Sequence, residues 1–287
     1  MPFIGVVPER AALFTPAPHR AVAVSDAAAW RLYPAHRNVY NKLEVALAAG
    51  LRAAPCGVAP REYGIADETP VFVKPIINLF GAARGARRTR ADRVPEAPGW
   101  FWCECLSGEH LSSDCLVREG ESYWFAHSVA AVEKDAERPV YWHVGVARPE
   151  WEPRLADWVR RCLPGYTGLC NIEALGGCPI EIHLRGSNGF FDFYGPAFVP
   201  AWVALVDGTD EAPPPPVPGG YVLSVFGRAE PSAAAWALAA AQGVQVQRDR
   251  HTPGRVAILR CRDLAAGLRA RAALQRDEHL AVPEERS

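Results

Sequence analysis

Residues 165–185 read GYTGLCNIEALGGCPIEIHLR. Two runs, LCNIEAL and CPIEIHLR, flank Gly176-Gly177, the pattern of a β-hairpin closed by a two-residue turn. Alternate side chains of a strand share a face. Glu181, His183 and Arg185 therefore align on one strand, and Asn171 and Glu173 on the strand before it. Residues on facing strands meet across the ladder, so two carboxylates, an imidazole, an amide and a guanidinium fall into one patch. Carboxylates repel one another unless a positive charge lies between them. A hard divalent cation such as Mg²⁺, bridging to phosphate oxygens, is the natural occupant. The plainer alternative is a solvated sheet face of alternating charge.

Upstream of the hairpin, the basic residues are lopsided. Of 31, only Lys42, Lys74 and Lys134 are lysines. Arg serves wherever a generic positive charge suffices, so a retained Lys marks a place for a compact ammonium rather than a planar fork. Lys42 opens NKLEVALAAG (41–50), which has helical spacing and a Gly where a helix stops. Lys74 lies in VFVKPII (71–77), a buried strand of β-branched residues. A Gly/Arg loop with Gly81 and Gly85 follows. The segment 99–128 reads as two or three strands with a hairpin turn at REGES (118–122), and carries Glu104, Leu106 and Glu109. EWEPRLADWVRRCL (150–163) is spaced as a helix. DGTDEAPPPPVPGG (207–220) reads as a proline-rich linker or loop, and 221–279 as strand, helix, two strands, helix.

In this order the features resemble the ATP-grasp superfamily over residues 38–200. Asn41-Lys42 ahead of Gly50-Leu51 and Pro55 resembles the family's early lysine, and Val73-Lys74-Pro75 its strand lysine. GAARGARR (81–88) resembles the Gly-rich loop, Cys103 to Glu109 the strand that carries the adenine, Glu181-Ile182-His183-Leu184-Arg185 the metal strand, and Glu173 its partner acid. The resemblance implies an α+β, ATP-grasp fold with the nucleotide held between two sheet subdomains. It implies ATP and Mg²⁺ as cofactors: Lys42 and Lys74 on the phosphates, Gly81, Gly85, Glu104, Leu106 and Glu109 around the nucleotide, and Glu173, Glu181 and His183 at the metal. Arg185, with Lys74, would act on the charge of the transferred phosphoryl group. His183 stands where the family has Asn, and imidazole is a poor Mg²⁺ ligand; holding a phosphate, favouring another metal, or acting as a base are its other roles. Only about forty residues precede Lys42. The expected division is a shortened N-terminal segment (1–40), a core (41–206), the Pro-rich stretch (207–220) and a small α/β subdomain (221–287). The short N-terminal part leaves a partner subunit or a homo-oligomer open.

Composition bounds the rest. Hydrophobic residues make up 49% and charged residues 22% of the 287, which is globular rather than disordered. The formal net charge of -1 excludes a whole-protein basic field of the kind that binds nucleic acid. No apolar run reaches the roughly 20 residues of a bilayer span, and no secretory signal is visible. The eight cysteines form no CxxC pair and read as core residues in a reducing, cytoplasmic compartment; Cys103/Cys105 as a metal or redox pair is the alternative. Arg84, Arg87, Arg88, Arg90 and Arg93 read as a solvated loop, a cover for the triphosphate, or a receiver for an acidic substrate. His110 and Asp114 contact ribose or substrate, or are structural. The expected activity is an ATP-dependent ligase joining a carboxylate, on a small molecule or peptide, to an amine through an acyl-phosphate. The alternatives are an ATP-grasp phosphotransferase and a non-catalytic nucleotide-binding protein.

Overall fold

The computed structural model describes residues 2–280 except positions 80, 82, 84, 136–137, 188, 210–211, 216–218 and 228–229, and the backbone alone at 276–280. The expectation for Arg84 and part of the Pro-rich stretch lie outside the described residues. Two short parallel strands, β1 (Phe3–Ile4) and β2 (Val22–Ala23), open the chain. Helix α1 (Asp26–Leu32) follows, with the Ser25 hydroxyl accepting the Ala28 N–H at 3.3 Å as its cap. Helix α2 (Lys42–Ala48) begins where expected: the Asn41 side-chain oxygen accepts the Leu43 and Glu44 N–H groups, each at 3.2 Å. Strands β3 (Ala53–Pro55), β4 (Pro70–Pro75), β5 (Arg87–Arg90) and β6 (Trp100–Glu104) form an antiparallel sheet in the order β3-β6-β4-β5.

Beyond it come β7 (His110–Arg118), β8 (Glu121–Ala130), a ribbon of β9 (Lys134–Asp135) and β10 (Arg138–Pro139), β11 (Trp142–Val146), α3 (Glu152–Cys162), β12 (Gly168–Leu175), β13 (Cys178–His183) and α4 (Phe198–Asp207). The chain closes with β14 (Gly220–Phe226), α5 (Ala233–Ala240), β15 (Gln245–Arg248), β16 (Arg255–Cys261) and α6 (Leu264–Leu280). The second sheet has eight antiparallel strands in the order β13-β12-β7-β8-β11-β14-β16-β15. Both hairpin turns read from the sequence are present. Glu119 and Gly120 adopt φ of 51° and 88°, and Gly176 and Gly177 adopt 57° and 93°, the left-handed pair that matches strand twist in a two-residue loop. At Gly176 a Cβ would stand 2.0 Å from the Ser107 carbonyl oxygen, so the hairpin tip lies directly on the segment joining β6 to β7.

Segment 221–261, expected within a small α/β subdomain (221–287), hydrogen-bonds into the eight-stranded sheet: Trp142 pairs with Val222, and Val222 with Arg260. One face of that sheet is covered by α4 and an aromatic cluster of Phe190, Phe191, Phe193, Phe198 and Trp202, together with the N-terminal Phe3 and Phe14. The other face packs Leu111, Cys115 and Ile172 against α3, and Leu223, Val225 and Leu259 against α5 and α6. Trp102 and Trp158 are buried. No helix among the described residues is long and apolar enough to cross a membrane.

Candidate functional site

The hairpin β12–β13 forms the edge of the large sheet. Its register sets Glu173 directly opposite Glu181, and Asn171 opposite His183. Each carboxylate meets a basic side chain. Lys42, the first residue of α2, puts Nζ 2.5 Å from Glu181 Oε1. His183 Nε2 lies 3.3 Å from Glu181 Oε2, and His110 Nε2 lies 3.3 Å from Glu173 Oε2. Lys74 comes from β4 of the small sheet and donates to the Ile180 carbonyl at 3.2 Å. Two lysines far apart in sequence thus meet one strand, and both are buried. Burial pushes the Glu181 carboxyl up, but Lys42, then His183 and Lys74, more than offset it, and it stays well below the usual carboxylate range. Burial lowers the Lys74 ammonium; the Glu181 charge offsets part of that.

Beside this cluster is a residue that the sequence analysis left unread. Asp26, the first residue of α1 and 5% exposed, accepts from His183 Nδ1 at 3.0 Å and from Arg185 Nη2 at 2.7 Å. The Tyr40 hydroxyl donates to it at 3.2 Å and accepts the Leu184 N–H at 3.2 Å. Arg185 and His183 hold the Asp26 carboxyl far below its ordinary range despite burial, the largest influence, which acts upward. For His183, burial and Arg185 act downward, and Asp26 with Glu181 more than offsets them, so its affinity for a proton rises. Both ring nitrogens are engaged, Nδ1 with Asp26 and Nε2 with Glu181. Among the described residues, no three His, Cys, Asp or Glu side chains form a ready-made metal cage. Glu173 and Glu181, hard oxygen donors facing one another, are the pair whose chemistry suits a hard cation.

The other expected residues fall around this centre. Glu104 ends β6 and grips Arg52, accepting its backbone N–H at 2.9 Å and its guanidinium at 3.0 and 3.2 Å. Half-buried Leu106 lies in the connection from the small sheet to the large one. Glu109, at the end of that connection, holds Arg148 through two bonds of 2.8 Å. Gly81 accepts from the Asn78 amide at 3.0 Å. Gly85, at φ 74°, leaves no room for a side chain: a Cβ would sit 2.3 Å from the Trp100 ring. Of the loop arginines, Arg87 stacks on Trp100 at 5.6 Å, and Arg90 pairs with Glu68 and Asp92. Asp114 is fully enclosed. It accepts the Ser187 N–H, the Asn171 amide and the Tyr194 hydroxyl at 2.8–3.1 Å, a structural hub beneath the patch. Burial, the largest influence, pushes its carboxyl up to about 6 against those hydrogen bonds.

No protein-family model matches the sequence, and no curated protein matches it. Solved structures do match. Carboxyaminoimidazole ribonucleotide synthase from Aspergillus clavatus, complexed with ATP, superposes with a TM-score of 0.62 at 13% identity, covering 86% of this chain and 75% of that one. L-amino acid ligase from Bacillus licheniformis gives 0.55 at 15% identity, covering 88% and 76%. The biotin carboxylase domain dimer of Hydrogenobacter thermophilus 2-oxoglutarate carboxylase, in complex with MgADP and bicarbonate, gives 0.52 at 14% identity, covering 86% and 67%. These are ATP-grasp enzymes. The chain has the ATP-grasp fold. Its two antiparallel sheets are the two halves of that fold, and the cluster of Lys42, Lys74, Glu173 and Glu181 is drawn from both.

Proposed function

We propose that the protein is an ATP-dependent ligase that joins a carboxylate to an amine through an acyl-phosphate. The observation that carries this reading is the convergence of Lys42 and Lys74, from α2 and from the small sheet, on the Glu173–Glu181 pair at the edge of the large sheet. Two ammonium groups beside two facing carboxylates suit a polyphosphate and a hard cation together. Lys42 and Lys74 bind the phosphate oxygens of ATP. The loop carrying Gly81 and Gly85 and the connection Glu104–Leu106–Glu109 border the nucleotide. Glu173 and Glu181 hold Mg²⁺, which when bound neutralises phosphate charge. The substrate carboxylate attacks the γ-phosphorus and ADP leaves; the amine then attacks the acyl carbon, phosphate leaves, and the amine gives up a proton. Arg185, oriented by Asp26, faces the charge that develops on the transferred group. His183, clamped between Asp26 and Glu181, has a raised affinity for a proton beside the carboxylate pair and fixes the rotamer of Glu181.

The test is thermal unfolding with and without ATP and Mg²⁺, followed by a screen of acids and amines for phosphate release. A ligand at about a hundred times its Kd stabilises the native state by roughly 2.7 kcal/mol, which raises Tm by several degrees. A shift that needs both ATP and the metal, followed by release of phosphate with a ligated product, is the expected result. A stable phosphorylated product identifies a phosphotransferase instead, and binding without turnover a nucleotide-binding protein.

A further inference from the structure

The two carboxylates of the site are held in different ways. Glu181 has Lys42 and His183 beside it. The Glu173 side chain has a single hydrogen-bond partner among the described residues, His110. The contact runs diagonally across the ladder: β12 pairs Glu173 with Ser112 and Leu175 with His110. His110 and Ser112 are two residues apart on β7, so His110 shares a face with Glu173, and a long side chain spans the diagonal. A carboxylate only accepts, so His110 Nε2 carries the proton and donates to Glu173 Oε2 at 3.3 Å. His110 Nδ1 is buried and has no partner among the described residues. The ring therefore directs its hydrogen bond to Glu173 alone.

The ring is also braced. Trp142 on β11 stands against it, with ring centroids 5.0 Å apart and planes at 68°. Trp142 packs in turn on Phe190 at 5.9 Å and on the aromatic cluster of that sheet face. The backbone beside His110 is tied to the hairpin tip, where the Glu109 carbonyl accepts the Gly176 N–H at 3.0 Å. Facing carboxylates repel, and a glutamate without a partner regains its rotamer freedom by turning to water. Glu173 and Glu181 are tied from opposite sides, the first from β7, the second from α2 and β13.

We propose that His110, braced by Trp142, is a positioning residue that fixes the Glu173 carboxylate opposite Glu181 and so sets how tightly the pair takes a divalent cation together with a nucleotide. The proposal rests on the reading of Glu173 and Glu181 as the metal pair. His110 touches neither cation nor nucleotide in this role; it acts through Glu173.

The test is titration calorimetry of the full chain with a non-hydrolysable ATP analogue, AMP-PNP, in excess Mg²⁺ and again in EDTA. For the wild type, Mg²⁺ tightens binding. In His110→Leu the Kd in Mg²⁺ rises by about 10–100-fold, as for other groups that orient a metal-ligating side chain, while the Kd in EDTA stays within about twofold. His110→Gln, which returns an N–H donor near the place of Nε2, recovers most of the affinity. Trp142→Leu leaves both polar groups and removes the brace; a smaller loss, again confined to Mg²⁺, is expected, and this variant carries the test if His110→Leu does not fold. An unchanged Kd in His110→Leu overturns the proposal. So does an equal loss in EDTA, which would put His110 on the nucleotide itself, or a failure of His110→Gln to recover affinity, which would make the ring a packing element. A wild type that binds AMP-PNP no better in Mg²⁺ than in EDTA overturns the metal pair and this proposal with it, whereas the other outcomes leave the metal pair standing.

Discussion

Lys74 and Asp26 show how differently two buried charges act. Lys74 reaches across from the small sheet and has a main-chain carbonyl, not a carboxylate, as its hydrogen-bond partner, so its removal leaves no anion stranded. Lys74→Ala is expected to keep the native circular dichroism and lose the ATP-dependent rise in Tm, with turnover reduced by 10²-fold or more if Lys74 holds transferred phosphate. Asp26 faces His183 and Arg185 inside the protein. Asp26→Ala leaves the Arg185 guanidinium and the His183 ring without their carboxylate, and breaking a buried pair in this way costs about 3–5 kcal/mol. Urea denaturation measures it. A loss below about 1 kcal/mol would show that Arg185 finds water or another partner in the variant.

Two-residue turns govern the elements that carry the patch. The β7–β8 hairpin turns through Glu119-Gly120, where Gly120 has φ 88° and a Cβ would lie 3.0 Å from the Leu163 carbonyl oxygen. Gly120→Ala therefore meets both an unfavourable backbone region and a backbone contact, and is expected to destabilise by about 1–2 kcal/mol. Its readout is the denaturation midpoint. In helix α4 the weight falls on burial: Trp202 is 1% exposed and packs on Phe3, Phe191 and Phe198. Trp202→Ala is expected to cost about 3–5 kcal/mol, with the fluorescence and calorimetric transitions moving together.

For the molecule as a whole, pH dependence reports the buried hub under the sheet. The Asp114 carboxyl lies at about 6 in the folded chain against a model-compound value of 3.8. The folded state thus binds the extra proton, and the stability this contributes is complete below pH 3.8 and is lost as pH rises through 6. Asp26 and Asp249 shift the other way: their contribution is present above the ordinary carboxylate range and is lost as pH falls below it. Between pH 5 and pH 7 the Asp114 contribution by itself is expected to lower stability by about 1 kcal/mol. Asp114→Asn flattens that slope; an unchanged slope would assign it to other groups.

Much of the candidate site is legible in the sequence, because its signals are local. The alternation of LCNIEAL and CPIEIHLR and the Gly176-Gly177 turn specify a hairpin within some twenty residues, and once the hairpin forms, its pleat and register must bring Glu173 and Glu181 together. Asn41 before Lys42 and the β-branched run before Lys74 placed both lysines at the starts and ends of elements. Asp26 escaped notice because its meaning is entirely non-local: Ser25-Asp26 reads only as a helix start, and the imidazole that it orients lies 157 residues further on. The same holds for the C-terminal strands. Their pattern identifies them as strands, but an edge with unpaired N–H and C=O groups accepts any partner, and nothing in YVLSVF names β11 as its neighbour. Local propensity and periodicity act over a few residues and leave their mark in the chain. The pairing of distant edges and the matching of buried charges are settled by what the folded molecule can bury together, and the order of residues does not record it.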